Sequence, residues 1–555
     1  MNPASRESAS AEDSGLARLA AAAAALVVFA AFLPALGNDF VDYDDLEYVA
    51  LNPALGGGLA SLLRGAFFET RGAYWLPLLW LSYGLDRALW GEAAWGFHLG
   101  NIVLHALDVF WVGLLGAALA GHLQSETSTR RRALVGLLAA LLWGLHPLRV
   151  ESVAWISERK DVLAAAFGLP ALLAWLRFAA GRRAATISEA LRDANYRRCL
   201  LLLLLSLTAK GSFAVAPVAL LALDAWPLRR DRFSPWRLLA TEKLPLLALG
   251  ILSAVATLLT QRPALLTFAE ASPLSRLLVA GHSTVAYLVA MAWPSDLSPY
   301  YPHPGESALT DPSFAMAAFL VGAVFVTGTV LWRRHRAPLV LWSLYLLPLA
   351  PVVGLVQSGS QGRADRFTYL PALAPTLAIS WFLVAAAAGA GPGTTGRLRR
   401  VGSGAAAVAL LAASAVGTSR QIPVWRDTES LWSRVIEVTD GKLGMAYFNR
   451  ARFRHGTGDH LGALSDLDSA LDIARAKRYR RTAEVMAERG RVLLALGRCR
   501  EAVADLSAAI DGASPPLVSD FAARAAARAA CGDADGAAAD RQLAAARGGN
   551  GGEPP

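Results

Sequence analysis

The chain has 555 residues, 54% of them hydrophobic and 17% charged, and a net charge of +9. A soluble domain carries about 25% charged residues. The shortfall lies in long uncharged runs, which excludes an ordinary soluble enzyme and makes this a polytopic membrane protein. The excess positive charge sits in Arg clusters between those runs, where it orients spans rather than binding a phosphodiester backbone, so no nucleic-acid partner is expected.

Residues 1–15 are rich in Ser, Ala and Glu and are expected to form a disordered cytoplasmic tail. Gly15–Leu36 reads as an uncleaved membrane anchor. Arg6 and Arg18 on its amino side place the amino terminus in the cytoplasm. Directly after it comes NDFVDYDDLEYVALNP, Asn38–Pro53, which crowds Asp42, Asp44, Asp45 and Glu47 against a membrane surface. Such carboxylates repel one another and attract protons or cations, a costly arrangement that points to chemistry. The plain alternative is a solvated, turn-forming loop. Ala73–Trp90 is rich in Trp and Tyr but broken by Pro77 and Asp86, which predicts an amphipathic helix at the interface.

Further spans are expected near Phe97–Ala120, Leu134–Leu145, Val162–Ala180, Leu200–Trp226, Leu244–Leu259, Leu277–Trp293, Phe314–Trp332, Leu339–Val356, Tyr369–Ala388 and Ala405–Val416. The total is about eleven, with extracytoplasmic loops at 38–96 and 146–161. Most Arg clusters then face the cytoplasm, but Arg229, Arg230, Arg232 and Arg237 do not. Either the run interrupted by Lys210-Gly211-Ser212 is a hairpin of two half-helices, or another span is miscounted.

The composition changes after Arg420, and 421–547 is soluble and rich in Ala, Arg and Asp. Gly458-Asp459, Gly497-Arg498 and Gly532-Asp533 recur near the roughly 34-residue tetratricopeptide period. Small residues keep phase with them: Ala451, Gly490 and Ala525, then Ala463, Ala502 and Ala537, then Ala470, Ala509 and Ala544. Small side chains let paired helices approach closely. The pattern predicts a tetratricopeptide α-solenoid of about three repeats, a surface for a peptide or protein, and a disordered tail at 548–555. Cys199, Cys499 and Cys531 have no zinc-type spacing and are expected to be free thiols.

Several motifs in this order carry a resemblance. They are the acid pair after the first span, HPLRVESVAWISERKD (His146–Asp161), a Lys inside an apolar run, LDAWPL, WPSDLSPYYP, RADRFTYLP and the repeat tail. From Asn38 to the last repeat the chain resembles bacterial polytopic C-type (GT-C) glycosyltransferases with tetratricopeptide repeats, relatives of the transmembrane-and-tetratricopeptide O-mannosyltransferases. The resemblance implies an all-α protein in which a GT-C-like transmembrane domain (16–420) precedes the solenoid. It also implies transfer of a sugar, mannose by analogy, from a polyprenyl-phosphate donor to protein hydroxyls on the extracytoplasmic face. The acceptor would dock on the repeats.

DDLEY matches the family's acidic pair plus aromatic, with Asp44 first, Asp45 second and Tyr48 as the aromatic. Asp44 is then the general base, and Asp45 orients it or holds a divalent ion, Mg or Mn; Asp45 stands where Glu is also found, which leaves its role open. The departing phosphate needs positive charge, for which Arg159, Lys160, Lys210, Arg363 and Arg366 are the candidates. His146, Glu151 and Asp161 are expected to support the same face, Asp365 to fix Arg366, and Tyr369 to join that late cluster. The dull readings are snorkelling cations and structural ion pairs. His98, Asn101 and His105 share one helix face and are better suited to interhelical hydrogen bonds than to a metal.

The Ala/Arg bias points to a GC-rich bacterial genome, hence an inner membrane with periplasmic repeats. Two rivals stay open: the same chemistry on a glycan or lipid acceptor, and a membrane-anchored scaffold that assembles an envelope complex. A transporter fits less well, because the charges gather at membrane faces.

Overall fold

The computed structural model describes residues 3–71, 74–123, 128–180, 182–261, 272–356, 359–389, 391, 393–477, 482–513 and 515–548. The chain divides into two compact units, Met1–Arg426 and Asp427–Pro555. The boundary falls six residues beyond the expected one, because the Ile422–Trp425 turn packs within the first unit.

The first unit is a helical bundle. Its leading helices are α1 (Pro3–Phe32), which starts inside the stretch expected to be disordered, α2 (Pro77–Trp90), α3 (Ala94–Leu123) and α4 (Thr129–Gly144). A bent connection through α5 (Val150–Ala154) leads to α6 (Arg159–Ala179), α7 (Ala194–Ala209) and α8 (Ala216–Ala225). Next come α9 (Leu244–Gln261), α10 (Pro273–Ala292), α11 (Pro312–Leu331), α12 (Ala337–Leu349), α13 (Leu373–Ala388) and α14 (Thr394–Gln421). Starts are written locally. Asp193 accepts from the Asn195 and Tyr196 amides, Asp311 from Ser313, and Ser272 from Ser275. Small residues let neighbours touch: a Cβ on Gly136 of α4 would lie 2.3 Å from the Gly113 carbonyl of α3.

Among the described residues, seven helices are long and apolar enough to cross a bilayer, or eight if the bent pair Thr129–Gly144 and Pro147–Ala154 counts as one span. This is a multi-pass membrane protein. The expected eleven is not reached on that criterion, because two of the predicted spans form only α12 and α13 and a third is broken at Lys210.

That break resolves the charge anomaly. Lys210 has extended backbone (φ −163°, ψ 142°), so the apolar run cannot continue as one helix. α7 runs antiparallel to α6: Tyr196 packs on Trp175 and Phe178 near the end of α6, and the Ser206 hydroxyl donates to the Ala164 carbonyl near its start. α8 then returns, bringing Arg230 to donate to the carbonyls of Arg182 and Arg183. The run is therefore a hairpin of two half-helices, and Arg229–Arg237 lies at the same end of the bundle as Arg182. There Asp224, Arg230, Glu242 and Lys243, each at most 2% exposed, form a closed ionic knot. Arg230 bridges Asp224 (3.0 Å) and Glu242 (2.6 Å), and Lys243 closes on Asp224.

The second unit holds α15 (Thr428–Val438), α16 (Gly444–Gly456), α17 (His460–Lys477), α18 (Thr482–Ala495), α19 (Cys499–Gly512), α20 (Val518–Ala530) and α21 (Ala534–Gly548), each packed on its neighbours in sequence. Gly458, Gly497 and Gly532 turn the chain with φ of +90°, +75° and +84°, a region that favours glycine. The in-phase Ala451, Ala463, Ala502, Ala525 and Ala537 are buried, and a Cβ on Gly490 would lie 2.6 Å from Leu506 Cγ. Each pair also carries an unforeseen two-pronged ion pair sixteen residues apart: Arg450–Asp466, Arg489–Asp505 and Arg524–Asp540. One expectation is corrected. Cys499 and Cys531 form a disulfide, since the start of α19 and the end of α20 bring their Cα atoms to 5.6 Å; Cys199 is free and buried. The expected disordered end lies, from residue 549, outside the described residues.

The hairpin makes a topological prediction. In intact membranes, a Cys at exposed Arg232 should react with an impermeant thiol reagent only from the side that labels Arg182→Cys, and Glu47→Cys only from the opposite side. Labelling of Arg232→Cys and Glu47→Cys from one side would break the hairpin assignment.

Candidate functional site

The site grows from the loop after α1. Pro34 closes that helix with a 3-10 turn, Leu33–Gly37, and the chain is then pinned: the Asp39 amide donates to the Arg426 carbonyl (2.8 Å) and Asn38 Nδ2 to the Ile422 carbonyl (3.4 Å). Tyr43 stacks on Trp155, and Trp155 on Trp425, with centroids 4.8 and 5.3 Å apart. Leu46–Ala50 forms a π-helical turn, a local irregularity often found at functional sites.

Within this frame the two acids part company. Asp45 is 1% exposed and fully engaged: Oδ1 accepts from the amide and hydroxyl of Ser157, and Oδ2 from the Val41 amide. Asp44 is only partly buried, and its carboxylate makes no hydrogen bond or ion pair among the described residues. Burial pushes Asp44 up to about 6, against the pull of Lys160 and Arg366. Burial also raises Asp45 to about 6, opposed by its hydrogen bonds from Ser157 and Val41. Asp45 thus fixes the loop to the Ile156–Glu158 turn, and Asp44 is left facing two cations.

Behind Asp44 lies a buried ionic network whose hub, Glu158, is 0% exposed. Its carboxylate meets Lys210 at 2.6 Å, Lys160 at 3.1 Å and Arg366 Nε at 3.4 Å. Lys210 also meets Asp161 at 2.7 Å, and Ser152 donates to Asp161. Arg366 is gripped by Glu151 through its side chain and its amide, and donates to Gln361 Oε1 at 2.9 Å. Aromatic faces carry the cations: Lys160 lies over Tyr48 (5.5 Å) and Tyr74 (5.2 Å), and Arg366 over Trp155 (5.3 Å). Arg363 makes no ion pair among the described residues; it rests on the Tyr301 ring at 4.2 Å, where Tyr301–Pro302 (β1) pairs with Gln361–Arg363 (β2).

The structure therefore gathers Asp44, Asp45, Tyr48, Glu151, Lys160, Asp161, Lys210 and Arg366 into one constellation and sends other expected members elsewhere. Arg159 binds Asp86 (2.5 Å), Asn101 Oδ1 and the Phe97 carbonyl, a structural clamp with no group left for a phosphate. A Cβ on Gly100 would strike both Arg159 and Asp86, so the clamp even sets that residue. Both ring nitrogens of His146 bond to backbone, at Met291 and Leu148, so it is a cap. Asp365 does not fix Arg366; it accepts from the Tyr301 hydroxyl (2.9 Å), and burial together with nearby Glu151 pushes it up to about 8. Tyr369 bonds to His105 and Asp108 deep in the bundle. Asn101 and His105 do form interhelical hydrogen bonds, to the carbonyls of Val153, Trp155 and Gly144.

Sequence reasoning missed Glu158, Tyr43, Trp155 and Ser157. Glu158 had a signal: cations buried at a span entrance need a counter-charge, and it stands next to two of them. The divalent ion considered at the acid pair finds no matching donor set. Both Asp45 oxygens are already engaged, Asp44 faces cations, and no group of three His, Cys, Asp or Glu is arranged for a metal among the described residues.

Removing the hub should be costly. Glu158→Gln leaves Lys160, Lys210 and Arg366 short of counter-charge, with an expected loss of about 3–5 kcal/mol, read as a large fall in the unfolding temperature of the purified protein. Stability equal to the parent would show that the network contributes nothing.

No family model matches the chain. Curated relatives match part of it. Protein O-mannosyl-transferase Tmtc1 of Drosophila melanogaster is 32% identical over 160 residues, covering 27% of this chain and 17% of that protein. Protein O-mannosyl-transferase TMTC4 of Homo sapiens is 33% identical over 174 residues, covering 29% and 23%. Protein O-mannosyl-transferase F38B6.6 of Caenorhabditis elegans is 24% identical over 197 residues, covering 34% and 26%. The matches thus span about a quarter or less of these relatives' length. Among solved structures, ArnT from Cupriavidus metallidurans bound to undecaprenyl phosphate aligns over 76% of this chain and 77% of its own at 16% identity, with a TM-score of 0.33, too loose a superposition to carry an argument. Over the matched segments, this chain is TMTC-like in sequence.

Proposed function

We propose that the chain is an integral-membrane glycosyltransferase that moves a sugar from a polyprenyl-phosphate donor to a hydroxyl of a protein acceptor. The observation that carries this reading is the division of labour between the acids: Asp45 is spent on holding the loop, and Asp44 is uncommitted, raised to about 6 and set before cations. A base whose affinity for protons lies near the working pH is what transfer to a hydroxyl requires. The acceptor oxygen attacks the anomeric carbon, its proton passes to Asp44, and the bond to the phosphate oxygen breaks with its electron pair leaving on the phosphate. Lys160 is the cation best placed to receive that charge, because it faces Asp44 and shares Glu158 with two others. Arg366 and Lys210 hold the hub in place.

Mannose and a protein acceptor follow the chain's likeness to protein O-mannosyl-transferases, with the helical repeats as the docking surface. The Cys499–Cys531 disulfide supports an oxidising, extracytoplasmic location for the repeats, in a bacterium the periplasmic side of the inner membrane.

The test is transfer of labelled mannose from polyprenyl-phosphate mannose to envelope protein in membranes. Asp44→Asn, with expression unchanged, should lower the rate by about 10²–10⁴-fold. Full transfer by this variant would remove Asp44 from the site, and no label with the parent chain would overturn the reading.

The working form of Asp44 is the carboxylate, so the rate should rise with pH through about 6 and fall about tenfold per unit below it. Stability runs the other way: a carboxyl raised on folding favours the folded state in acid and loses that contribution as pH rises to about 6. A flat rate profile between pH 5 and 7 would rule out Asp44 as the base.

A further inference from the structure

The mechanism above leaves the aromatic stack beside Asp44 without a role. Its three layers are not equivalent. Trp155 and Trp425 are 2% and 1% exposed, so they are filler and backing, whereas Tyr43 is the layer that stays partly accessible. Tyr43 lies nearly parallel to Trp155, at 24°, and Trp155 to Trp425, at 19°, which holds the phenol ring in one plane from behind. Trp155 also carries both nearby cations, Arg366 at 5.3 Å and Lys160 at 5.7 Å from its ring. The accessible ring therefore adjoins the free carboxylate in sequence and the phosphate-binding charges in space.

A hexopyranose has one face of C–H groups and a rim of hydroxyls. The face packs on an aromatic ring while the rim seeks polar groups, so a rigid ring beside a base and cations fits a sugar joined to a phosphate. We infer that the accessible face of Tyr43, braced by Trp155 and Trp425, is the platform on which the transferred hexose lies. Tyr43 is thus a positioning residue that sets the anomeric carbon against Asp44. The inference rests on the donor class proposed above. It predicts that the ring is used and the hydroxyl is not, and that the contribution is to the sugar and not to the lipid phosphate.

The experiment compares binding of polyprenyl phosphate with that of polyprenyl-phosphate mannose and polyprenyl-phosphate glucose to the purified full chain, for the parent, Tyr43→Phe and Tyr43→Ala. The parent should bind a hexose-bearing lipid about tenfold more tightly than the bare phosphate. Tyr43→Phe should keep that margin. Tyr43→Ala should lose it while binding bare polyprenyl phosphate like the parent, and in transfer assays should raise KM for the donor more than it lowers kcat. Equal weakening of all three lipids by Tyr43→Ala would make Tyr43 a packing residue and overturn the platform. So would a parent that gains nothing from either hexose while binding the bare phosphate. Binding of none of the lipids would remove the donor class, and the platform with it.

Discussion

The constraint on which the first unit depends is the neutralisation of Glu158. A fully buried carboxylate is tolerable only if its desolvation is offset by close, hydrogen-bonded cations, and here three elements must deliver them. Lys160 comes from the first turn of α6, Lys210 from the break between α7 and α8, and Arg366 from the turn before α13. Each cation is in turn held elsewhere, by Tyr48, Asp161 and Glu151 respectively. The result is a floor under Asp44 that cannot shift one part without stranding a charge in another. In the proposed role of base, Asp44 needs such a floor: its cations must be present but must not close on it.

A second ionic knot, at the opposite end of α6, does a different job. Asp224, Arg230, Glu242 and Lys243 pair with one another, and Arg230 also donates to the Arg182 and Arg183 carbonyls. One network is closed, and the other stops one carboxylate short of closure. That shortfall, rather than the number of charged groups, marks the candidate site. In the second unit the repeated Arg–Asp pairs are likewise closed, and the disulfide adds a covalent tie between successive helix pairs, so stability there does not draw on any group proposed for chemistry.

Legibility differed by type of signal. The membrane class, the helix-pair tail with its glycine turns, and the crowding of acids in the Asp44–Asp45 loop could all be read locally, since runs, periods and clusters are properties of adjacent residues. The roles inside the cluster could not. Arg159 and Lys160 are neighbours in sequence, yet one is locked against Asp86 and Asn101 and the other points to Glu158 and the aromatic rings. Successive helical residues point about 100° apart, so adjacency says nothing of shared partners. Asp365 and Arg366 parted for the same reason. The cysteines misled because 32 residues of separation hides the fact that the end of one helix returns to the start of the one before it.

By itself the sequence determined that this chain crosses a membrane several times, that its last portion is built of small-residue helix pairs, and that an acidic loop stands where the first span ends. Those follow from hydropathy, periodicity and charge, which are written along the chain. The tertiary structure decided that the Lys210 run turns back on itself, that Asp45 is a brace while the Asp44 carboxylate makes no hydrogen bond among the described residues, and that Glu158 unites three distant cations. These depend on which side chains meet across the bundle. Burial multiplies the cost of every unpaired charge, so the pairing across helices, and not the local pattern, fixes which residue is left over for chemistry.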